Sequence, residues 1–269
     1  MNIKKIFAIT FALSALISLP TSAQENNNTK QSRKGWKLVW KDDFKGKEID
    51  PTSWRRCVAG TSDWDRNMSP LDSLCRVRNG VLELWGIPTP EGLNESRPYI
   101  TGGLNSKGLR SVKNGRFDVR AKFGFATGFW PAIWLMPDAK IQWPYGGEID
   151  IMEHLNADDI AYQTVHSAHT YYFREPKSKN GNTMAINKED FNVYSVEISD
   201  CEITFYINGK KNFSYSKMEP TPEDQYPFSN HPFYIILSAQ LGGTWVGKVN
   251  IEDLPVKMEI DYVKFYERR

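Results

Sequence analysis

From Arg116 to Phe123 polar and apolar side chains alternate, and similar short alternating runs recur over most of the chain. That period predicts strands with one face on a core. Lys37 to Trp40 forms a first short run. Arg76 to Leu84 reads as a hairpin turning at Asn79-Gly80, and Ile203 to Ile207 returns through Asn208-Gly209 into Lys210 to Tyr215. Asn-Gly pairs suit two-residue hairpin turns because both residues tolerate positive φ. Further strands are predicted over Ile100 to Leu109, Gly128 to Leu135, Tyr194 to Ile198, Phe233 to Leu237 and Met258 to Tyr266. Pro88 to Pro98, Tyr171 to Asn182 and Glu219 to Pro232 read as loops. No stretch longer than about ten residues carries helical periodicity, so the expected class is all-β, a sandwich of two antiparallel sheets.

One run breaks the alternation. In Gly146-Gly147-Glu148-Ile149-Asp150-Ile151-Met152-Glu153-His154, strict period two puts Glu148 and Asp150 on one face and turns Glu153 into the core, where an unpaired carboxylate is costly. Either the strand ends, or a bulge at Ile151-Met152 adds one residue and returns Glu153 to the face of the other two acids. Three carboxyls would then line one strip of a cleft, and at least one would hold its proton above the usual carboxylate range. A carboxyl pair of this kind, one ionised and one protonated, suits glycoside hydrolysis.

Residues 1–23 read as an export signal: Lys4 and Lys5, an apolar run from Ile6 to Leu19, then Thr21-Ser22-Ala23 as a cleavage site. No Cys follows the run, so a lipid anchor there is not expected. Residues 24–35, polar and without periodicity, read as a flexible leader, and residues 36–269 as a single domain in the periplasm or outside the cell. The formal charge of +2 includes Lys4 and Lys5, so the remainder is near neutral. That balance argues against nucleic acid and anionic membranes as partners; a monomer without membrane insertion is expected. Aromatics make up 13% of the chain, with 9 Trp, a supply suited to stacking on pyranose faces as well as to a core. Of the 3 Cys, Cys57 and Cys75 could bridge in an oxidising compartment, leaving Cys201 free; separate buried thiols are the alternative. No spacing matches a zinc site, and His154, His166 and His169 are not expected to form a metal cluster. Arg116 and Arg120, alternating with Phe117 and Val119, read as an outward, solvated face.

The acidic run resembles the Glu-x-Asp-x-x-Glu signature of family 16 glycoside hydrolases. Gly115 to Lys122 and Trp130 to Met136 resemble the two strands before that signature, Thr164-Val165-His166 the strand after it, and Asp261 to Tyr266 the closing strand. The resemblance spans roughly residues 36–269. It implies a concanavalin A-like jelly roll with a concave substrate cleft and a retaining endo-glycosidase, with Glu148 as nucleophile, Glu153 as acid/base and Asp150 assisting. It implies no cofactor and leaves a structural calcium open. Trp130, Trp134, Trp143, His166, Gln240, Trp245 and Asn105 are the expected substrate contacts.

The substrate stays open among β-1,3 and mixed-linkage glucans, algal galactans and host poly-N-acetyllactosamine or mucin-type glycans. Laminarinase-type members often carry an Arg just before the Thr-Lys-Gly that matches Ser106-Lys107-Gly108, where this chain has Gly103-Leu104-Asn105. Glucan-cleaving members tend to be apolar at Gln240. Both departures lean toward a galactan or host glycan. A non-catalytic jelly-roll lectin and a structural sandwich are the other readings; neither has a use for Glu148 and Glu153 together.

Overall fold

The computed structural model describes residues 35–269; the predicted export signal, and all but the last residue of the leader, lie outside them. Along the chain run β1 (Trp36–Asp42), β2 (Arg55–Arg56), β3 (Cys75–Arg78), β4 (Val81–Pro88), β5 (Tyr99–Thr101), β6 (Gly103–Asn105), β7 (Ser111–Val112), β8 (Gly115–Phe123) and β9 (Phe129–Pro137). After them come β10 (Glu148–Glu153), β11 (Ile160–His166), the short helix α1 (Ala168–Tyr171), β12 (Gly181–Ala185), β13 (Asn192–Ile198), β14 (Glu202–Ile207), β15 (Lys210–Ser216), β16 (Phe233–Leu241) and β17 (Val256–Arg268).

The strands form two antiparallel sheets, and the fold is a β-sandwich of jelly-roll type. The nine-stranded sheet runs β15-β14-β13-β8-β17-β4-β3, with β1 on β17 and β5 on β4. The eight-stranded sheet runs β12-β11-β10-β9-β16-β6-β2, with β7 on β16. Both predicted Asn-Gly hairpins form: φ is 53° and 77° at Asn79 and Gly80, 51° and 77° at Asn208 and Gly209. Between the sheets lie the inward residues of each alternating strand, among them Phe117, Val119 and Ala121 of β8 and Ile133 and Leu135 of β9.

Two expectations change, and the pairing of Cys57 and Cys75, left open by the sequence, is decided. The strand predicted over residues 100–109 ends at Asn105 and breaks at Gly102, where the chain leaves β5 in one sheet and enters β6 in the other. A Cβ on Gly102 would sit 2.4 Å from the Leu74 carbonyl oxygen, so only glycine passes there. Cys57 and Cys75 are not bridged; both thiols are free and buried, and Cys201 is exposed. Cys57 N and Cys75 Sγ both donate to Gly103 O, at 2.8 and 3.6 Å. Burial pushes the Cys57 thiol up to about 11 and that of Cys75 up to about 12.

Arg116 does face outward, yet it is not solvated. It is 2% exposed, paired with Asp118 and Glu197 at 2.7 Å each, and its guanidinium lies 5.1 Å from the Tyr206 ring centroid. Arg120, half-buried, pairs with Asp261 and covers Phe191. Neighbouring strands bring charges of opposite sign beside β8, and these pairs displace water that alternation alone would leave in place.

Candidate active site

The acids of β10 owe their common face to a bulge. Asp150 pairs with Trp134 of β9 and Thr164 of β11, and the register then slips so that Glu153 pairs with Ala132 and Tyr162. Ile149, Ile151 and Met152 are fully buried in the core. Two successive apolar residues turned inward return Glu153 to the face of Glu148 and Asp150. Glu148 lies opposite His166.

Each carboxyl has a different neighbour. Trp143 Nε1 donates to Glu148 Oε2 at 2.5 Å, and Trp130 Nε1 donates to Glu153 Oε1 at 3.0 Å. His166 Nε2 stands 3.3 Å from Asp150 Oδ2, an ion-pair contact that leaves this oxygen without an aligned hydrogen bond. Burial first, and then the charge on Asp150, push Glu148 up to about 8, while His166 and the Trp143 N–H hold it back. Glu153 is raised well above the ordinary range by burial, by Asp150 and by Glu148. Burial works against a charged His166, but Asp150, followed by Glu148 and Glu153, outweighs it and lifts the imidazole to about 9. The cluster therefore titrates as a unit. Glu148, beside His166 and Trp143, is placed to ionise before Glu153.

A pocket of about 350 Å³ opens at Glu148. Trp134 and Met136 of β9 and Tyr234 and Ile236 of β16 line it together with Ser62, Trp64 and Trp143 from loops. The predicted contacts divide. Trp143 borders the pocket, 39% exposed. Trp134 lines it but is 6% exposed, because Trp64 packs edge-on against it at 4.9 Å. Trp130 lies with Trp245 at 5.6 Å, and Trp245 with Tyr162 at 5.2 Å, a second aromatic group beside Glu153.

Gln240 is buried within β16, a central strand, and is 1% exposed. Trp134 Nε1 donates to Ser238 Oγ at 3.1 Å, and Ser238 Oγ donates to Gln240 Oε1 at 2.8 Å. Asn105 lies in register with Ile236 of the pocket, but its amide is engaged by Cys57 Sγ and Lys107 N.

Tyr234, Ile236 and Ser238 were not anticipated as site residues, although period two from Gln240 along β16 puts all three on its face. Trp64 carried no signal, since its contact with Trp134 joins a loop to a strand 70 positions away. Glu148, Asp150 and His166 offer ligand atoms within 4.8 Å of one another, a geometry open to a metal ion. His154 and His169 bond instead to the carbonyls of Asp158 and Pro176 at 2.8 Å. Among the described residues no helix is long and apolar enough to cross a membrane.

The sequence profile of glycosyl hydrolases family 16 matches residues 77–264. The chain belongs to this family. As a family 16 member it is a hydrolase of O-glycosyl bonds. It is 32% identical over 250 residues to the keratan-sulfate endo-1,4-beta-galactosidase of Sphingobacterium multivorum; the match covers 90% of this chain and 57% of that relative's length. The laminarinase structure from Rhodothermus marinus superposes with a TM-score of 0.78 at 29% identity, covering 87% of this chain and 98% of that one. A structure described by the words "Prominent members of the human gut microbiota express endo-acting O-glycanases to initiate mucin breakdown" superposes with a TM-score of 0.74 at 31% identity, covering 87% and 100%. The family 16 relatives thus include proteins named for glucan and for galactose-containing substrates.

Proposed function

We propose that this chain is an exported, retaining endo-β-glycosidase whose substrate is a galactose-containing glycan, cut by double displacement. The observation that carries the mechanism is the unequal setting of the two Glu on the bulged strand. Glu148, beside a cation and an indole N–H, is the carboxyl suited to ionise and attack the anomeric carbon. Glu153 holds its proton to higher pH and is suited to protonate the leaving oxygen. The C–O bond to the leaving group breaks as the bond to Glu148 forms; Glu153, now ionised, takes a proton from water, which releases the sugar from Glu148 with the original β configuration. Asp150, between them and paired with His166, keeps a negative charge near Glu153 and so favours its protonated form.

Support for the substrate comes from the galactosidase relative and the O-glycanase structure, and from the polar Gln240 and the missing Arg before Ser106. The laminarinase likeness supports a second reading, β-glucan.

The test is reducing-end release and product sizing on keratan, mucin O-glycans, agarose, porphyran, laminarin and mixed-linkage glucan, with wild type and Glu148→Gln. Cleavage of a galactose-containing polymer, lost in the variant, is expected; cleavage of laminarin alone would replace the first reading by the second. Binding without cleavage on every substrate would favour the lectin. α-Configured product at first turnover by proton NMR would overturn retention. The export reading expects a secreted product beginning at Gln24, checked by N-terminal mass spectrometry.

A further inference from the structure

The segment after β11 builds a row of exposed rings that the mechanism does not use. Tyr171 is 47% exposed, Tyr172 49% and Phe173 77%, an unusual concentration of apolar surface on one short segment. The row begins in the active site. Trp143, which donates to Glu148 and lines its pocket, meets Tyr171 edge-on at 4.6 Å; Tyr171 meets Tyr172 at 5.1 Å, and Tyr172 meets Tyr145 at 6.2 Å.

The segment is held firmly from beneath. Ser167 and Thr170 form a reciprocal capping box at the start of α1. Buried His169 donates to Pro176 O at 2.8 Å, and Arg174 N donates to His169 O at 3.0 Å. Arg174 is anchored to Asp224 at 2.8 Å with its guanidinium 5.7 Å from the Tyr172 centroid. Phe173 adopts φ 51°, a left-handed conformation that a bulky residue avoids unless its surroundings impose it. Rigid aromatics fixed in exposed positions, with phenol and guanidinium groups at their edges, match what a chain of pyranose rings presents: apolar faces rimmed by hydroxyls.

We propose that Trp143, Tyr171 and Tyr172, with Arg174 at their edge, form an outer ledge on which sugars of the same glycan stack beyond those held in the pocket at Glu148. Continuity selects this occupant, because the first ring of the ledge is also a wall of that pocket. The proposal rests on the glycosidase reading and extends it to a preference for long chains over short oligosaccharides.

Tyr172 does not touch Trp143, so its replacement spares the contact to Glu148. In the Glu148→Gln background, isothermal titration with keratan as the long chain, and with a short keratan oligosaccharide filling only the pocket, gives the decisive ratio. Tyr172→Ala is expected to weaken polymer binding about three- to tenfold, the scale of one lost ring contact. It should weaken the oligosaccharide far less, and Tyr172→Trp should restore the polymer. Equal weakening of both ligands, or no change in either, overturns the ledge. So does light scattering that reveals a dimer dissociated by Tyr172→Ala, since the surface would then serve self-association. If the wild type cuts no polymer, it is the proposed function that fails; the ledge is judged by the long-to-short ratio alone.

Discussion

Glu148 and Glu153 are the same residue type on one strand, and their surroundings separate them. Glu148 has a charged His166 nearby, which opposes its upward shift. His166→Asn removes that opposition, so Glu148 ionises at still higher pH and the acid limb of kcat/KM moves up. At pH 6 kcat/KM is expected to fall roughly tenfold, with a smaller loss at pH 9; an unmoved limb would exclude this role for His166. Stability carries the same signature. Folded Glu148 keeps its proton to about 8, against an ordinary value of 4.5. Its contribution is therefore present below the ordinary value and lost as pH rises through that window. Neutral Gln avoids the loss. Glu148→Gln is expected to melt above the wild type at pH 8, the gap closing toward pH 4 in thermal scans. The positions of the three acids were legible in the chain, because charge in an apolar strand needs a cleft. Their unequal protonation was not, since it depends on Trp143, Trp130 and His166 arriving from other elements.

At the scale of elements, the bulge in β10 decides whether there is a site at all. Inserting one Ala between Met152 and Glu153 puts the Ala on the outward face and turns Glu153 inward. A carboxyl buried without a partner costs on the order of several kcal/mol, so urea unfolding of the soluble fraction is expected to detect a loss of about 3 kcal/mol or more, together with loss of turnover. An insertion variant that kept activity would place the acid elsewhere. The conflict between Ile151, Met152 and Glu153 made the bulge readable as one of two outcomes. Strand faces were equally readable, as in β8, where Arg116 points outward as its alternation requires. What covers a face was not: Glu197 and Tyr206 belong to strands paired through tertiary contact. The break at Gly102 was hidden too, because its cause is the Leu74 carbonyl, which is far away in sequence.

At the scale of the whole molecule, the cleft is made where loops meet the eight-stranded sheet. Asp63 accepts from Thr244 N at 2.6 Å and pairs with Arg66, which joins the loop carrying Trp64 to the glycine turn before Trp245. Trp64 thereby covers Trp134 and closes one side of the pocket. Trp64→Ala is expected to raise KM for short oligosaccharides about tenfold through the lost aromatic wall, with circular dichroism of the sheet unchanged; an unaltered KM would put the sugars elsewhere. Strand content, the two Asn-Gly hairpins and the family were determined by the sequence itself. Each is written in a few consecutive residues, by side-chain period, by tolerance of positive φ and by the spacing of three acids. The free thiols, the buried Arg116 and the walls of the pocket were decided only by tertiary structure. Each depends on which distant segments share a neighbourhood, and the period of a strand carries no information about what will pack on its outer face.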